Sequence, residues 1–320
     1  MFQINKYQKK QVSILNQRIE KYKVRSLFCE ICLSNNYKIL SKEDRYGIRM
    51  DYGICKICGL IQSIKKFENT SYSEFYERFY NNIYSFSEEK FKSKFFENRK
   101  KVGEKIYKFL NKNIHLKKEI KILEIGCGTG GIVACFSEKG FDTLGIDLSS
   151  EDIKFGLNKN LKLLHKSIDD LKKNQKFDLI ISMRSLEHIP DPNSFLFKVK
   201  KHMTEDGFIY INVPSLNSLF YTDKANVMSL KRQFHFAHVY LYSIDTLSNL
   251  MFKNNFKRVV INQNIESIWS KNLKNTNYEV KNFFIKTSIQ ILILKYFKSL
   301  IIFKNILKFY IKKLIQTKLK

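Results

Sequence analysis

The chain has 320 residues, a formal net charge of +27 and 44% hydrophobic residues. That length can bury a sizeable core in one large domain or two unequal ones. The charge favours an anionic partner such as nucleic acid, a phosphate-bearing substrate or a membrane surface, although an AT-rich genome would produce the same lysine-rich skew without one. The opening residues, MFQINKYQKKQVSILNQ, lack an apolar signal-peptide core, and no apolar run is long enough to span a bilayer. We therefore expect a cytosolic protein.

Two Cys-x-x-Cys pairs lie near the amino terminus, Cys29/Cys32 and Cys55/Cys58. Zinc prefers four soft ligands in a tetrahedron, and each Cys-x-x-Cys turn brings two thiolates to one metal ion. A redox role would need only one pair, and four incidental buried thiols are the remaining alternative. The pattern predicts a structural Zn²⁺ site in a zinc ribbon over residues 26–66, preceded by a lead over residues 1–25.

Residues 67–117 are aromatic and charged, lack proline and are predicted to form a helical linker or lid. Tyr72, Phe75, Tyr76, Phe79 and Tyr80 recur at helical spacing. Aromatic residues at this spacing are usually part of a core, which is the favoured interpretation, and a roof over a ligand cleft in the following domain is the alternative.

From about residue 118 apolar strands alternate with helices. The predicted strands are IKILEI, FDTLGID, LKLLH, KFDLIISM, GFIYINV and FKRVVINQ. The predicted helices are GIVACFSEKG, a stretch to about residue 159, residues 193–202 and SIDTLSNLMFKNN. This alternation predicts a parallel sheet covered on both faces, with its ligand beyond the carboxyl ends of the strands.

A glycine-rich turn, GCGTGG, follows the first of these strands. Gly126, Gly128 and Gly131 fit the G-x-G-x-x-G pattern, and Asp147 lies about twenty residues further on, as in dinucleotide sites. Glu124, however, would stand unpaired beside an anionic pyrophosphate. S-adenosylmethionine (SAM) has no phosphate and carries a sulfonium and an ammonium, which a carboxylate favours. The turn therefore predicts SAM rather than NAD.

The segments LEIGCGTG, GIDLS and FDLIISMRSLEHIPDP together resemble a class I SAM-dependent methyltransferase over about residues 118–270. The cysteine-rich segment resembles the zinc-binding module of bacterial methyltransferases from sugar and surface-polysaccharide pathways. The resemblance implies an α/β fold: a Rossmann-like sheet of seven strands, the last antiparallel, with an amino-terminal zinc ribbon and a carboxyl-terminal helical tail.

The resemblance also implies the cofactor contacts. The glycines lie under the methionine part of SAM, Asp147 binds the ribose, and Asp169 accepts from the adenine amino group. The full expected set is Glu124, Gly126, Cys127, Gly128, Gly130, Asp147, Leu148, Ile168, Asp169 and Met183.

Methyl transfer needs an aligned acceptor and a base, and the resemblance places Glu187 and His188 at the cleft. A neutral His188 can take a proton near pH 7, while a structural or cofactor-side role is the alternative. Quinone O-methyltransferases use an acid where Arg184 stands, which argues against their metal site. Sugar C-methyltransferases carry Tyr where Ser185 stands, which favours O- or N-methylation instead.

The stretch RQFHFAHVYLYS resembles the family segment that borders the acceptor pocket. His235 and His238 are candidates to face that pocket, with His238 the expected acceptor contact. Arg232 is a candidate phosphate ligand. The two histidines have no Cys or acid neighbours in the sequence, so no metal is expected from this pair.

The tail over residues 271–320 is basic and apolar, with ten lysines and no acid from Lys281 onward. From Lys295, apolar and basic residues fall on opposite sides of a helical wheel. Such a helix either lies in an anionic membrane interface or packs its apolar face on protein.

The sequence-based hypothesis is thus a methyltransferase acting on a nucleotide- or lipid-linked sugar in surface-glycan biosynthesis. Its expected location is the cytosol, with a peripheral position at the inner membrane face as a further option. The alternatives are a tRNA or rRNA methyltransferase and a non-catalytic SAM-binding protein. Nucleic acid is the less favoured partner, because the strongest charge excess lies in the apolar tail.

Overall fold

A computed structural model describes residues 4–84, 89–221, 229–271, 278–297, 300 and 303–304. Its amino-terminal part is a small β module that follows helix α1 (Lys6–Ile19). The module contains five short strands: β1 (Val24–Ser26), β2 (Tyr37–Glu43), β3 (Arg49–Cys55), β4 (Ile61–Ser63) and β5 (Lys66–Phe67). Strands β2, β3 and β4 are antiparallel neighbours, and β1 pairs with β5. We call residues 24–67 the four-cysteine module.

Helices link this module to the large sheet. They are α2 (Asn69–Phe75), a π-helical turn (Tyr76–Tyr80), α3 (Asn81–Tyr84) and α4 (Glu89–Ile114). The aromatic residues divide between two environments. Tyr72, Phe75 and Phe79 are buried in the core, while Tyr76 and Tyr80 remain partly exposed. The core interpretation holds for the first three, and a roof over a ligand cleft stays a prediction for Tyr76 and Tyr80.

A large sheet fills the rest of the described chain. Its elements and their neighbours are β6 (Lys121–Ile125), α5 (Gly131–Glu138), β7 (Asp142–Asp147), α6 (Ser150–Leu157), β8 (Leu163–His165), β9 (Phe177–Met183), α7 (Pro192–His202), β10 (Met203–Asn212), α8 (Leu230–Gln233), β11 (Tyr240–Leu241), α9 (Ile244–Lys253), β12 (Phe256–Ile261), β13 (Glu266–Lys271) and α10 (Phe284–Tyr296). The strand order is β12–β13–β10–β9–β6–β7–β8.

Strand β13 runs antiparallel to both neighbours, and the other pairs from β10 to β8 are parallel. Because helices cover both faces, the central strands β6 and β9 are buried along nearly their whole length, which explains why most of their residues are apolar. The predicted fold class is confirmed, including the antiparallel last strand. The division into five segments is untested and stays a prediction.

The small and large sheets share one buried apolar cluster, which includes Leu15 and Ile54 from the amino-terminal part and Leu196 and Trp269 from the sheet domain. Strand β11, although late in the chain, pairs with β4 and becomes the fourth strand of the small sheet. The four-cysteine module is therefore joined to the large sheet by packing and by backbone hydrogen bonds.

Helix α10 begins the predicted amphipathic tail. It buries Thr287 and Leu294 and leaves Ile285 and Tyr296 exposed. Part of the predicted tail pattern lies outside the described residues: Lys298, Leu307, Lys308, Ile311, Lys312, Lys313, Leu314, Gln316 and Lys320. Within the described part of the chain, we find no helix with the length and apolarity needed to cross a membrane.

Candidate active site

The glycine turn after β6 is open on one side. Gly126, Gly128 and Gly130 have φ angles of +75°, +52° and +81°, a region that L side chains rarely adopt. A Cβ on Gly126 would collide with the Ser185 Oγ, whereas the nearest described heavy atom to a Cβ on Gly128 is Phe95 Cε1 at 3.8 Å. The backbone at Gly128 can therefore be approached closely by a ligand.

Glu124 lies at the base of this turn and is fully buried. Neither carboxylate oxygen has a hydrogen-bond partner among the described residues, and the Arg99 guanidinium is 3.8 Å away. Burial raises the pKa of Glu124 to about 8, while Arg99 opposes this rise. A buried carboxylate that accepts no hydrogen bond from the described residues and lies beside an open turn fits a cationic ligand group, as SAM carries.

Asp147, at the carboxyl end of β7, shapes the same turn. Its Oδ2 accepts the Gly128 backbone N–H at 2.7 Å, and its Oδ1 accepts the Ser149 N–H at 2.8 Å. The adjacent Leu148 is 73% exposed and Cys127 is buried. Asp147 and Leu148 thus border the opening, as predicted for cofactor contacts.

The predicted adenine and methionine contacts lie at the neighbouring strand ends. Ile168 is buried in a 3₁₀ turn, and the adjoining Asp169 is paired with Lys198 at 2.7 Å. Met183, at the end of β9, is half-buried, and its carbonyl accepts from Arg99 at 3.3 Å. An adenine amino group would share the Asp169 carboxylate with Lys198, so this assignment stays a prediction.

A second group of polar side chains follows β9. Glu187 and His188 lie in a 3₁₀ turn (Leu186–His188), and both Glu187 oxygens lack a hydrogen-bond partner among the described residues. The His188 Nε2 lies 3.8 Å from Glu187 Oε1, and its Nδ1 lies 2.9 Å from the Tyr76 hydroxyl. Burial raises the pKa of Glu187 to about 7 and lowers that of His188 to about 4. His188 is therefore neutral near pH 7 and able to accept a proton.

Five rings form a closed circuit beside Glu187: Tyr76, Tyr80, His235, His238 and His188. Their successive centroid separations are 5.2, 6.4, 4.7, 4.8 and 6.4 Å, the last from His188 back to Tyr76. Burial also holds the pKa values of His235 and His238 well below the ordinary histidine value. The circuit thus presents uncharged rings at neutral pH. The sequence interpretation did not assign Tyr76 a role; its helical aromatic spacing was the only signal.

Ligand atoms of Glu187, His188 and His238 lie within 4.8 Å of one another. Their separation suits a proton relay and would also suit a metal ion. Arg184, the residue that replaces the acid of quinone O-methyltransferases, has φ = +60° and is exposed. It contributes no carboxylate to this group.

The four cysteines of the amino-terminal pairs converge. The Cys29 and Cys58 Sγ atoms are 3.4 Å apart, as are those of Cys32 and Cys55, and all four lie within 4.8 Å of one another. A tetrahedral Zn²⁺ with Zn–S bonds of about 2.3 Å needs sulfurs about 3.8 Å apart. The cluster fits such an ion.

The family model described as "Methyltransferase domain" matches residues 95–260, more than half of the chain. The chain belongs to this family. A ubiquinone biosynthesis O-methyltransferase of Pelagibacter ubique (strain HTCC1062) is 37% identical over 100 residues, covering 29% of this chain and 42% of the relative. The ubiquinone biosynthesis O-methyltransferase of Bordetella avium (strain 197N) is 28% identical over 105 residues, which cover 30% of this chain and 44% of the relative. The chain therefore spans less than half the length of these curated relatives.

Solved structures are also similar to this methyltransferase-family chain. The plantazolicin methyltransferase BpumL in complex with SAH is 16% identical and covers 58% of this chain and 76% of its own, with a TM-score of 0.44. A SAM-dependent methyltransferase from Clostridium acetobutylicum ATCC 824 is 17% identical, and the match covers 62% of this chain and 98% of that structure, with a TM-score of 0.42.

Family membership confirms the predicted SAM-dependent methyltransferase class. The predicted sugar substrate and surface-glycan pathway are wrong, because the curated relatives are named for ubiquinone biosynthesis. That prediction depended on the resemblance of the four-cysteine module to that of sugar-pathway methyltransferases. A metal site of four cysteines does not by itself select a sugar, and Glu187 and His188 supply proton chemistry that suits many acceptors.

Proposed function

We propose that this methyltransferase-family chain transfers a methyl group from SAM to a hydroxyl group on an aromatic ring. The observation that carries this proposal is the closed circuit of uncharged rings around Glu187, which lies at the same strand ends as the open glycine turn. The relatives, named as O-methyltransferases, support the acceptor atom.

Glu124, Asp147 and Gly128 would hold SAM, which supplies an activated methyl group when bound. The buried Glu124 carboxylate offers a negative charge to the cofactor's cationic groups. Asp147 accepts backbone N–H bonds that fix the turn, and it borders the opening where the ribose is expected. The opening above Gly128 allows close approach to the backbone.

The residues after β9 would remove the proton from the acceptor hydroxyl. His188, neutral near pH 7, takes the hydroxyl proton as the oxygen attacks. Tyr76 holds the Nδ1 of His188 and so fixes the ring orientation. Glu187, 3.8 Å from the Nε2, stabilises the imidazolium that forms.

The uncharged rings favour a planar aromatic acceptor. Aromatic rings pack well at centroid separations of about 4.5–7 Å, and Tyr76 and Tyr80 are only partly buried, so that a third ring can reach them. A strongly anionic acceptor would find no charged partner in the circuit, since the three histidines are neutral at pH 7.

Methyl transfer to a simple catechol tests this proposal. The full chain is incubated with methyl-labelled SAM and either 4-methylcatechol, a prenylated catechol or a sugar nucleotide. We expect a labelled methyl ether on a catechol oxygen and none on the sugar nucleotide. Transfer to the sugar nucleotide alone, or to no catechol, would contradict the proposal.

We also propose that the four cysteines hold a structural Zn²⁺. The convergence of four thiols supports this, and all four ligands come from the protein, so no position is left for a substrate.

Helix α10 supports a peripheral membrane contact. Ile285, Ile289, Leu292 and Tyr296 form one exposed stripe at helical spacing, and Ile285 is 70% exposed. Basic residues of the tail would add attraction to anionic lipid of about 1 kcal/mol each.

Vesicle binding tests this contact. We expect the full chain to bind vesicles containing anionic lipid, less strongly as salt rises, and the Ile285→Ser/Leu292→Ser double variant to bind at least fivefold less. Because these side chains are exposed, the variant should keep its melting temperature. Equal binding by both proteins would make the stripe irrelevant to membranes.

A further inference from the structure

The proposed active site is assembled from two halves with different supports. The cofactor half comprises Glu124, the glycine turn and Asp147, and its backbone bonds run within the large sheet, as from Gly126 N–H to the Ile146 carbonyl at 2.9 Å. The acceptor half includes His235 and His238, which lie on either side of a turn in the segment between α8 and α9. We call residues 234–241 the strap.

One end of the strap is held by the turn between β2 and β3 in the four-cysteine module. The Arg45 N–H donates to the Phe234 carbonyl at 3.0 Å. Asp44, fully buried in the same turn, accepts the Phe236 N–H at 3.3 Å and the Tyr84 hydroxyl at 2.9 Å through its Oδ2. The Tyr84 ring in turn stacks on His235 with a centroid separation of 3.7 Å.

The other end is held by β4. Tyr240 pairs with Gln62 and Leu241 with Ile61. The Ser63 N–H donates to the Val239 carbonyl at 2.8 Å, and the Val239 N–H donates to the Glu187 carbonyl at 2.8 Å. A continuous set of backbone bonds thus joins the module to Glu187 by way of the residue that follows His238.

The second Cys-x-x-Cys turn determines where β4 lies. β3 ends at Cys55, and β4 begins three residues after Cys58. Within the turn, the Cys55 N–H donates to the Leu60 carbonyl at 2.9 Å and the Gly59 N–H to the Cys55 carbonyl at 3.0 Å. Because these bonds connect the turn to β4, a displacement of Cys55 or Cys58 would also displace β4, the strand that holds the strap.

We propose that the four-cysteine module is a positioning element of the methyl-transfer site, which holds the strap at both ends and so sets His235 and His238 against Glu187 and His188. The inference rests on the proposed function. A displacement of reacting groups by about 1 Å lowers a rate by about 10²-fold. An intact cysteine cluster is thus required for acceptor chemistry and not for cofactor binding.

Two variants test the proposal without disturbing a side chain that contacts substrate. Asp44 accepts the Phe236 N–H and the Tyr84 hydroxyl at Oδ2 and the Tyr46 and Ile48 N–H groups at Oδ1. Asp44→Asn leaves one acceptor oxygen and therefore breaks the bonds on one side, either to the strap or within the turn that holds it. Ser63→Pro removes the single N–H that reaches Val239. The matched control is Asp178→Asn, because Asp178 likewise accepts a backbone N–H (Lys121) and a hydroxyl (Thr204), at the opposite end of β9.

Four measurements are compared: bound zinc, SAM affinity by calorimetry, turnover of a catechol acceptor, and the imidazole nitrogen-15 NMR signals, with His165 and His202 as internal references. We expect both strap variants to keep their zinc and to bind SAM within threefold of the unaltered chain. The His235 and His238 signals should shift, and turnover of a catechol acceptor should fall by at least tenfold at unchanged KM for SAM. The control should match the unaltered chain in all respects.

Unmoved histidine signals in both folded variants would overturn the proposal. Loss of SAM binding together with zinc would also overturn it, since the module would then support the whole fold. If the unaltered chain methylates no catechol, the proposed function fails, whereas the histidine signals still decide whether the module positions the strap.

Discussion

At the residue scale, the proposed cofactor side of the site is built from residues close together in the chain, and the proposed acceptor side from residues far apart. Glu124 and Gly128 belong to one strand–turn–helix unit, and Asp147 ends the neighbouring strand. The pattern of this short stretch of sequence therefore predicts that the three residues lie close together. The contact between Tyr76 and His188 joins residues 112 positions apart. No local periodicity indicates which of several buried aromatic residues turns toward the site.

Gly128→Ala should weaken SAM binding without unfolding the chain. The added Cβ would point into the opening above the turn, where the nearest described heavy atom is 3.8 Å away. The positive φ at position 128 costs an L-residue about 1–2 kcal/mol. We expect SAM affinity by calorimetry to fall at least tenfold.

The matched control for that change is Gly140→Ala, at a position with φ = +85° and its nearest described neighbour also at 3.8 Å. It carries the same kind of backbone strain away from the turn. It should lower stability to a similar extent and leave SAM affinity unchanged. Equal SAM affinity in the Gly128→Ala and Gly140→Ala variants would show that the glycine turn does not contact the cofactor.

SAM affinity should depend on pH through Glu124. Burial raises the pKa of this carboxyl to about 8, so in the free chain it is protonated at pH 6, and ionising it opposes folding as the pH rises through 8. A cationic ligand favours the ionised form, so binding must release this proton. We expect affinity to increase from pH 6 to pH 8 and then level off.

Calorimetry in buffers of different ionisation enthalpy measures that proton release. Glu124→Gln should bind SAM more weakly and lose this pH dependence, which separates it from titration of the cofactor's own amino group. An unchanged pH profile in Glu124→Gln would show that another group is responsible.

At the element scale, long buried strands were predictable and short ones were not. β6 has five residues and β9 has seven, and most of them are apolar, which suits a parallel strand covered on both faces. β11 has only two residues, too few to carry a period, and its pairing with β4 depends on tertiary packing. The Cys-x-x-Cys pairs predicted a metal site but not its connection to the strap.

Cys58→Ser should abolish zinc binding, because Cys58 is fully buried within the four-sulfur cluster. A structural metal site contributes directly to folding. We expect the unaltered chain to carry one zinc, and the variant to carry none and to melt at least about 5 °C lower, equivalent to about 2 kcal/mol. Cys135→Ser, a buried cysteine outside the cluster, is the control and should keep its zinc. Zinc-free unaltered protein prepared without chelator would contradict the site.

At the scale of the whole molecule, the chain combines a methyltransferase sheet with an amino-terminal module that shares its core and pairs with its strand β11. The curated relatives match only about 30% of the chain. The acceptor could not be read from the sequence, because Glu187 and His188 suit many acceptors, and the rings that narrow the choice come from segments far apart in the chain.

The proposed methyl-transfer mechanism depends most on His188 acting as the base. Single-turnover transfer to a catechol, with SAM saturating, should be compared between the unaltered chain and His188→Ala. We expect transfer to fall by about 10²–10⁴-fold in the variant, with the dissociation constant for SAM within threefold of the unaltered value. Because the pKa of His188 is lowered to about 4, the unaltered rate should show no loss from protonation of this residue between pH 6 and pH 8. A variant that transfers methyl at the unaltered rate would contradict the account.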